Sequence, residues 1–156
     1  MELKAILVAT DFSDCAGAAF KTAQVLAGKF GAKLILLHVI NQNGLERLAE
    51  HLQVEADSLI PEQRDRAQLQ LGAFTERFNP GELEVESMVA VGLPFQEISV
   101  IARELAVDLV VLGGYGRGGR GPIEEVFFGS TAEKVVRLLP CPVLCVPLAE
   151  AEGSSQ

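Results

Sequence analysis

"DLVVLGGYGRGGRGPIEEVFFGST", residues 108 to 131, joins a short apolar run to a stretch that no regular element can hold. Between 113 and 121 stand six glycines and two arginines. Glycine gives up more backbone freedom on ordering than any other residue, so this segment is neither helix interior nor central strand. Asp108 to Leu112 reads as a buried strand, and the glycine loop leaves its carboxyl end. Gly129-Ser130-Thr131 then opens a helix running to Leu139. Strand, loop and helix in that order are half of a β-α-β unit, and the fold depends on whether the rest of the chain repeats it.

It does. Residues 4–9, KAILVA, form a short strand suited to burial on both faces. Asp11-Phe12-Ser13-Asp14 offers capping oxygens to a helix whose Ala16, Ala19, Ala23, Leu26 and Phe30 recur at helical spacing, and Gly31 ends it. Residues 33–40, KLILLHVI, make a second buried strand. The segment 41–79 is polar and mostly helical, with Pro61 placed to open a long helix ending near Phe78. Asn79-Pro80-Gly81 is a turn. Residues 83–89, LEVESMV, alternate as a more exposed strand, and Gly92-Leu93-Pro94 leads into a helix over 95–105. Ile98, Ile101, Ala102 and Leu105 share one face of that helix. Pro142 to Val146 closes the chain's fifth strand.

Strands alternating with amphipathic helices predict a parallel sheet with helices on both faces and right-handed crossovers. The expected fold is α/β: a single-domain, doubly wound, Rossmann-like sheet of five strands in the order 3-2-1-4-5. It spans residues 1–148, with 149–156 as a flexible polar tail. The 41–79 segment is an enlarged crossover, not a second domain.

Composition narrows the function. The chain has 49% hydrophobic and 22% charged residues, as a soluble globular domain does. A formal charge of −8 argues against nucleic acid and anionic membranes, which are bound by basic faces. No apolar run approaches the ~20 residues needed to span a bilayer. The opening MELKAILVATDF lacks the cleavage site of a signal peptide, so the expected location is cytoplasmic. Cys15, Cys141 and Cys145 are too few for a secreted disulfide framework. Cys141 and Cys145, about 13 Å apart along a strand at ~3.3 Å per residue, cannot bond to each other. The cysteines read as buried free thiols, and with His38 and His51 they form no zinc spacing.

In sheets of this type ligands bind beyond the carboxyl ends of the strands, where the strand order reverses. Asp11 stands just past strand one, and the glycine loop leaves strand four beside it. The helix opened by Gly129-Ser130-Thr131 presents free N–H groups and hydroxyls, a ready site for phosphate, and Arg117 and Arg120 add positive charge. This is neither the dinucleotide fingerprint, which follows the first strand, nor a P-loop, which needs Lys-Ser/Thr. His38, in an apolar strand, reads as a packed and satisfied histidine. Glu124 and Glu125 read as solvated, and no metal site of the protein's own is expected. No Ser-His-Asp or Cys-His set can be assembled.

The residues also resemble a known family. "ILVATDFSDCA", "VGLPFQEI", "DLVVLGGYGR" and "GSTAEKVVRLLPCPVLCVP" are similar to the signatures of the universal stress proteins, from residue 3 to about 147. The nucleotide-binding branch of that family carries Gly-x2-Gly-x9-Gly-Ser/Thr after strand four, and Gly116, Gly119, Gly129 and Ser130 satisfy this spacing. Measured from Gly113-x2-Gly116, the loop is three residues longer than usual, which leaves open the glycine pair that faces phosphate. Ala9 stands where the family often has proline.

The resemblance implies an adenine pocket at Ala9, Asp11 and Val39, with Leu112 beside it and Gly113 against the ribose or first phosphate. Gly116 or Gly119, with Gly129, Ser130 and Thr131, would take the phosphates of ATP, and Arg117 and Arg120 their charge. Magnesium would enter only with those phosphates. The expected function is a cytoplasmic ATP-binding regulator or sensor of the stress response, its client unknown. The alternatives are a slow ATPase or phosphotransferase in the same pocket, or a nucleotide-free interaction protein. Strand 142–147, at a sheet edge and apolar on both faces, is expected to pair with a second copy in an antiparallel homodimer, as the resemblance also implies.

Overall fold

The computed structural model describes residues 2–81, 83–114, 134–135, 137–138 and 141–147. Five parallel strands lie in the order β3-β2-β1-β4-β5. They are β1 (Ala5–Ala9), β2 (Lys33–Asn41), β3 (Val85–Gly92), β4 (Leu109–Gly113) and β5 (Val143–Val146). Between them run α1 (Asp14–Phe30), α2 (Gln42–Leu52), a 3-10 turn (Ala56–Leu59), α3 (Ile60–Phe78) and α4 (Pro94–Glu104). Lys134, Val135, Arg137 and Leu138 are helical. The expected order 3-2-1-4-5 is the one observed.

Successive strand side chains point to opposite faces, and the core divides accordingly. Leu7, Ile35 and Leu37 pack beneath α4 and Val135. Ile6, Val8 and Leu36 pack beneath Phe20 of α1 and Leu71 and Phe74 of α3. Helices on both faces place the reversal of strand order between β1 and β4. Asp108 fastens the far end of that pair: its carboxylate accepts from the N–H groups of Lys4 (2.8 Å) and Ala5 (3.0 Å).

Helix α1 carries its signals at both ends. Ser13, not Asp11, is the N-cap, its side chain accepting from the Ala16 N–H at 3.1 Å. Gly31 takes the left-handed conformation (φ 67°) and donates to the Ala27 carbonyl. Phe30, expected on the buried face, is 61% exposed, because the last turn of α1 runs past the sheet. Leu105 is likewise 43% exposed, since α4 ends at Glu104 and the chain turns away. Two glycines permit close packing. A Cβ on Gly17 would overlap the Phe78 ring of α3, and one on Gly113 would meet the backbone of Cys15 at 3.0 Å.

Strand β3 begins two residues later than expected and extends to Gly92. Its start is delayed because the Asn79 side chain clamps Leu83, donating to its carbonyl (2.8 Å) and accepting from its N–H (3.2 Å). Its far end is extended by register with β2 as far as Asn41 opposite Gly92. The two edges of the sheet differ. On β3, Arg64 of α3 donates to the Val89 carbonyl at 3.0 Å. On β5, Pro142 and Val146 accept from β4, so Val143 and Cys145 turn their backbone groups to the outer side. Cys15 is buried as expected, but Cys141 is only half-buried and Cys145 is exposed.

Candidate functional site

The polypeptide leaves β1 through Thr10-Asp11-Phe12-Ser13, a turn held by its own side chains. The Thr10 hydroxyl accepts from the Phe12 N–H at 2.9 Å, and the Asp11 carboxylate accepts from the Ser13 N–H through Oδ1 at 3.0 Å. The conformation is costly: Phe12 has φ 69°, a left-handed geometry that a bulky residue adopts at roughly 1–3 kcal/mol of strain. Packing holds it there. The Phe12 ring lies 4.4 Å from that of His38 and meets Phe74 edge-on at 5.9 Å.

Asp11 is only 5% exposed, and its second oxygen, Oδ2, has no hydrogen-bond partner among the described residues. A buried acceptor left unpaired costs on the order of 1–3 kcal/mol. It lines a cleft of about 540 Å³ beyond the ends of β1 and β2, next to the point where the strand order reverses. Val39 and Ile40 of β2 form its floor, and α2 and α3 form a wall through Leu45, Arg47 and Gln63. Polar groups converge on apolar surface, as in a small-molecule site.

Val39 offers the cleft its backbone. Lys33 donates to Lys4, and Leu37 accepts from Thr10 at 2.9 Å, so alternate β2 residues from Lys33 onward face β1. Val39 is next in that series, but β1 has already turned away. Its N–H and C=O therefore face the space that β1 vacates.

Of the expected site residues, the structure brings Asp11 and Val39 together in the cleft. Ala9 and Leu112 are buried in the core on the α4 side. Gly113 is buried against Cys15, so helix-to-strand packing by itself favours a glycine there. Gly116, Arg117, Gly119, Arg120, Gly129, Ser130 and Thr131 lie outside the described residues, as do Tyr115, Glu124 and Glu125. Sequence reasoning missed the α2–α3 wall and the part played by Thr10 and Phe12. His38 is satisfied as expected, with Nδ1 at 2.8 Å from the Thr10 carbonyl. Among the described residues no group of His, Cys, Asp and Glu is placed to hold a metal, and no helix is long and apolar enough to cross a membrane.

Sheet order, crossovers and cleft define a doubly wound α/β protein whose open ligand space borders its topological switch point. Residues 2–147 match the model of the universal stress protein family, and the chain belongs to that family. It is 27% identical over 158 residues to universal stress protein MJ0577 of Methanocaldococcus jannaschii, covering 92% of this chain and 94% of the relative. The solved structure of MJ0577 has a TM-score of 0.77 over 94% of this chain and 97% of its own. Universal stress protein YxiE of Bacillus subtilis is 32% identical over 149 residues, covering 90% and 97%. A universal stress protein from Archaeoglobus fulgidus, solved in complex with dAMP, shares the fold at a TM-score of 0.64 and 23% identity over 94% of this chain and 99% of its own.

Proposed function

We propose that the chain binds an adenine nucleotide, ATP in particular, and acts through it as a regulator or sensor in the cytoplasmic stress response. The observation that carries the reading is Oδ2 of buried Asp11, which has no partner among the described residues and is an acceptor suited to a hydroxyl or amine donor from a ligand. Beside it, the N–H and C=O of Val39 match the acceptor and donor that adenine presents side by side on its edge. The dAMP complex of the Archaeoglobus relative supports the same ligand class. In this reading the phosphates extend toward Gly116 or Gly119 and the Gly129-Ser130-Thr131 helix start, with Arg117 and Arg120 countering their charge and any magnesium arriving with them.

Titration calorimetry with millimolar ATP and magnesium tests it. Binding by the wild type is expected, together with its loss in Gly129→Val, which sets a branched side chain where backbone must approach phosphate. A wild type that shows neither heat nor a thermal shift with ATP overturns the reading.

A further inference from the structure

We infer that His38 is a positioning residue that opens the cleft by capturing the backbone carbonyl of Thr10, just past the end of β1. In a continued parallel ladder, the Thr10 carbonyl would accept from the Val39 N–H, just as the Thr10 N–H donates to Leu37. Here that carbonyl lies 2.8 Å from His38 Nδ1. A carbonyl can only accept, so Nδ1 carries the proton. The side chain of one β2 residue thus takes the acceptor that the backbone of the next would have taken. The ladder ends one bond early, and the Val39 N–H is left facing the ligand space.

The same ring fixes the turn. Its face lies against Phe12 at 4.4 Å with the planes 31° apart, which holds Phe12 in its left-handed conformation. Phe12 in turn sits between Asp11 and Ser13, whose N–H pins Asp11 Oδ1, while Oδ2 stays without a partner among the described residues. One imidazole therefore sets both polar features of the site: a strand donor at Val39 and a carboxylate acceptor at Asp11. The inference rests on the nucleotide reading for the identity of the ligand, but the capture of the carbonyl stands on backbone geometry alone.

Amide hydrogen exchange on the ligand-free protein, paired with ATP titration, tests the two separately. In wild type the Val39 amide is expected to exchange much faster than that of Leu37, its neighbour in the same series. His38→Phe keeps the aromatic ring but removes the donor, so the Val39 amide should gain protection about tenfold while the Ser13 amide holds. ATP affinity should fall about tenfold with little change in Tm. His38→Asn, whose amide nitrogen can occupy the place of Nδ1 but which lacks the ring, should return the Val39 amide to fast exchange and leave the Ser13 amide less protected. A Val39 amide as slow as that of Leu37 in wild type overturns the inference, as does exchange unchanged by His38→Phe. If wild type shows the expected exchange but takes up no ATP, the nucleotide reading fails and the positioning role of His38 survives.

Discussion

At Asp11 a single carboxylate meets two demands. Oδ1 pins the turn through the Ser13 N–H, while Oδ2 is buried without a partner among the described residues. Asp11→Asn separates the demands, since the amide oxygen can still accept from Ser13. ATP affinity is expected to fall by roughly 10- to 100-fold, the worth of a hydrogen bond to a charged group, while the Tm of the ligand-free protein holds or rises. Calorimetry beside a thermal melt decides it: a lower Tm with unchanged affinity would reduce Asp11 to a fastening of the turn. The place of Asp11 beyond the end of β1 was legible from the strand order, and the family resemblance singled it out from a plain helix cap. Its neighbours were not. Phe12 belongs to no residue class that favours a left-handed backbone, and the bond from His38 joins residues 28 positions apart.

At the scale of elements, continuous apolar runs located β1, β2, β4 and β5, while β3 showed itself by alternation, as a more exposed strand does. What escaped depended on contacts between elements. The first residues of the expected third strand were diverted by the Asn79 clamp, and Phe30 and Leu105 kept helical spacing beyond the reach of the sheet. Gly17 shows the same dependence. A glycine in mid-helix costs roughly 0.5–1 kcal/mol relative to alanine, yet here a Cβ would strike the Phe78 ring. Gly17→Ala should therefore destabilise the protein by about 1–3 kcal/mol through overpacking. In a Phe78→Ala background the same change should become stabilising. Urea denaturation of the four proteins in this cycle measures the coupling, and simple additivity would show that the α1–α3 contact does not set the residue at 17.

At the scale of the whole molecule, the β5 edge, uncovered among the described residues, is where a second copy is expected to pair. The register separates folding from assembly, because Leu144 belongs to the series facing β4 and Cys145 to the series facing outward. Cys145→Pro removes an outward N–H and should give a monomer that keeps most of its stability. Leu144→Pro removes a bond to β4 and should weaken the fold itself. Light scattering at micromolar concentration reads the first outcome and a thermal melt the second; a monomeric wild type would dismiss the pairing. The opposite edge sets what such pairing can build. There the Arg64 guanidinium occupies the Val89 carbonyl, an acceptor that an incoming strand would need. A unit with one adhesive side has a valence of one. In that pairing two such units would use up the contact each offers, so growth would end at the pair, and raising the concentration would fill more pairs without lengthening a filament.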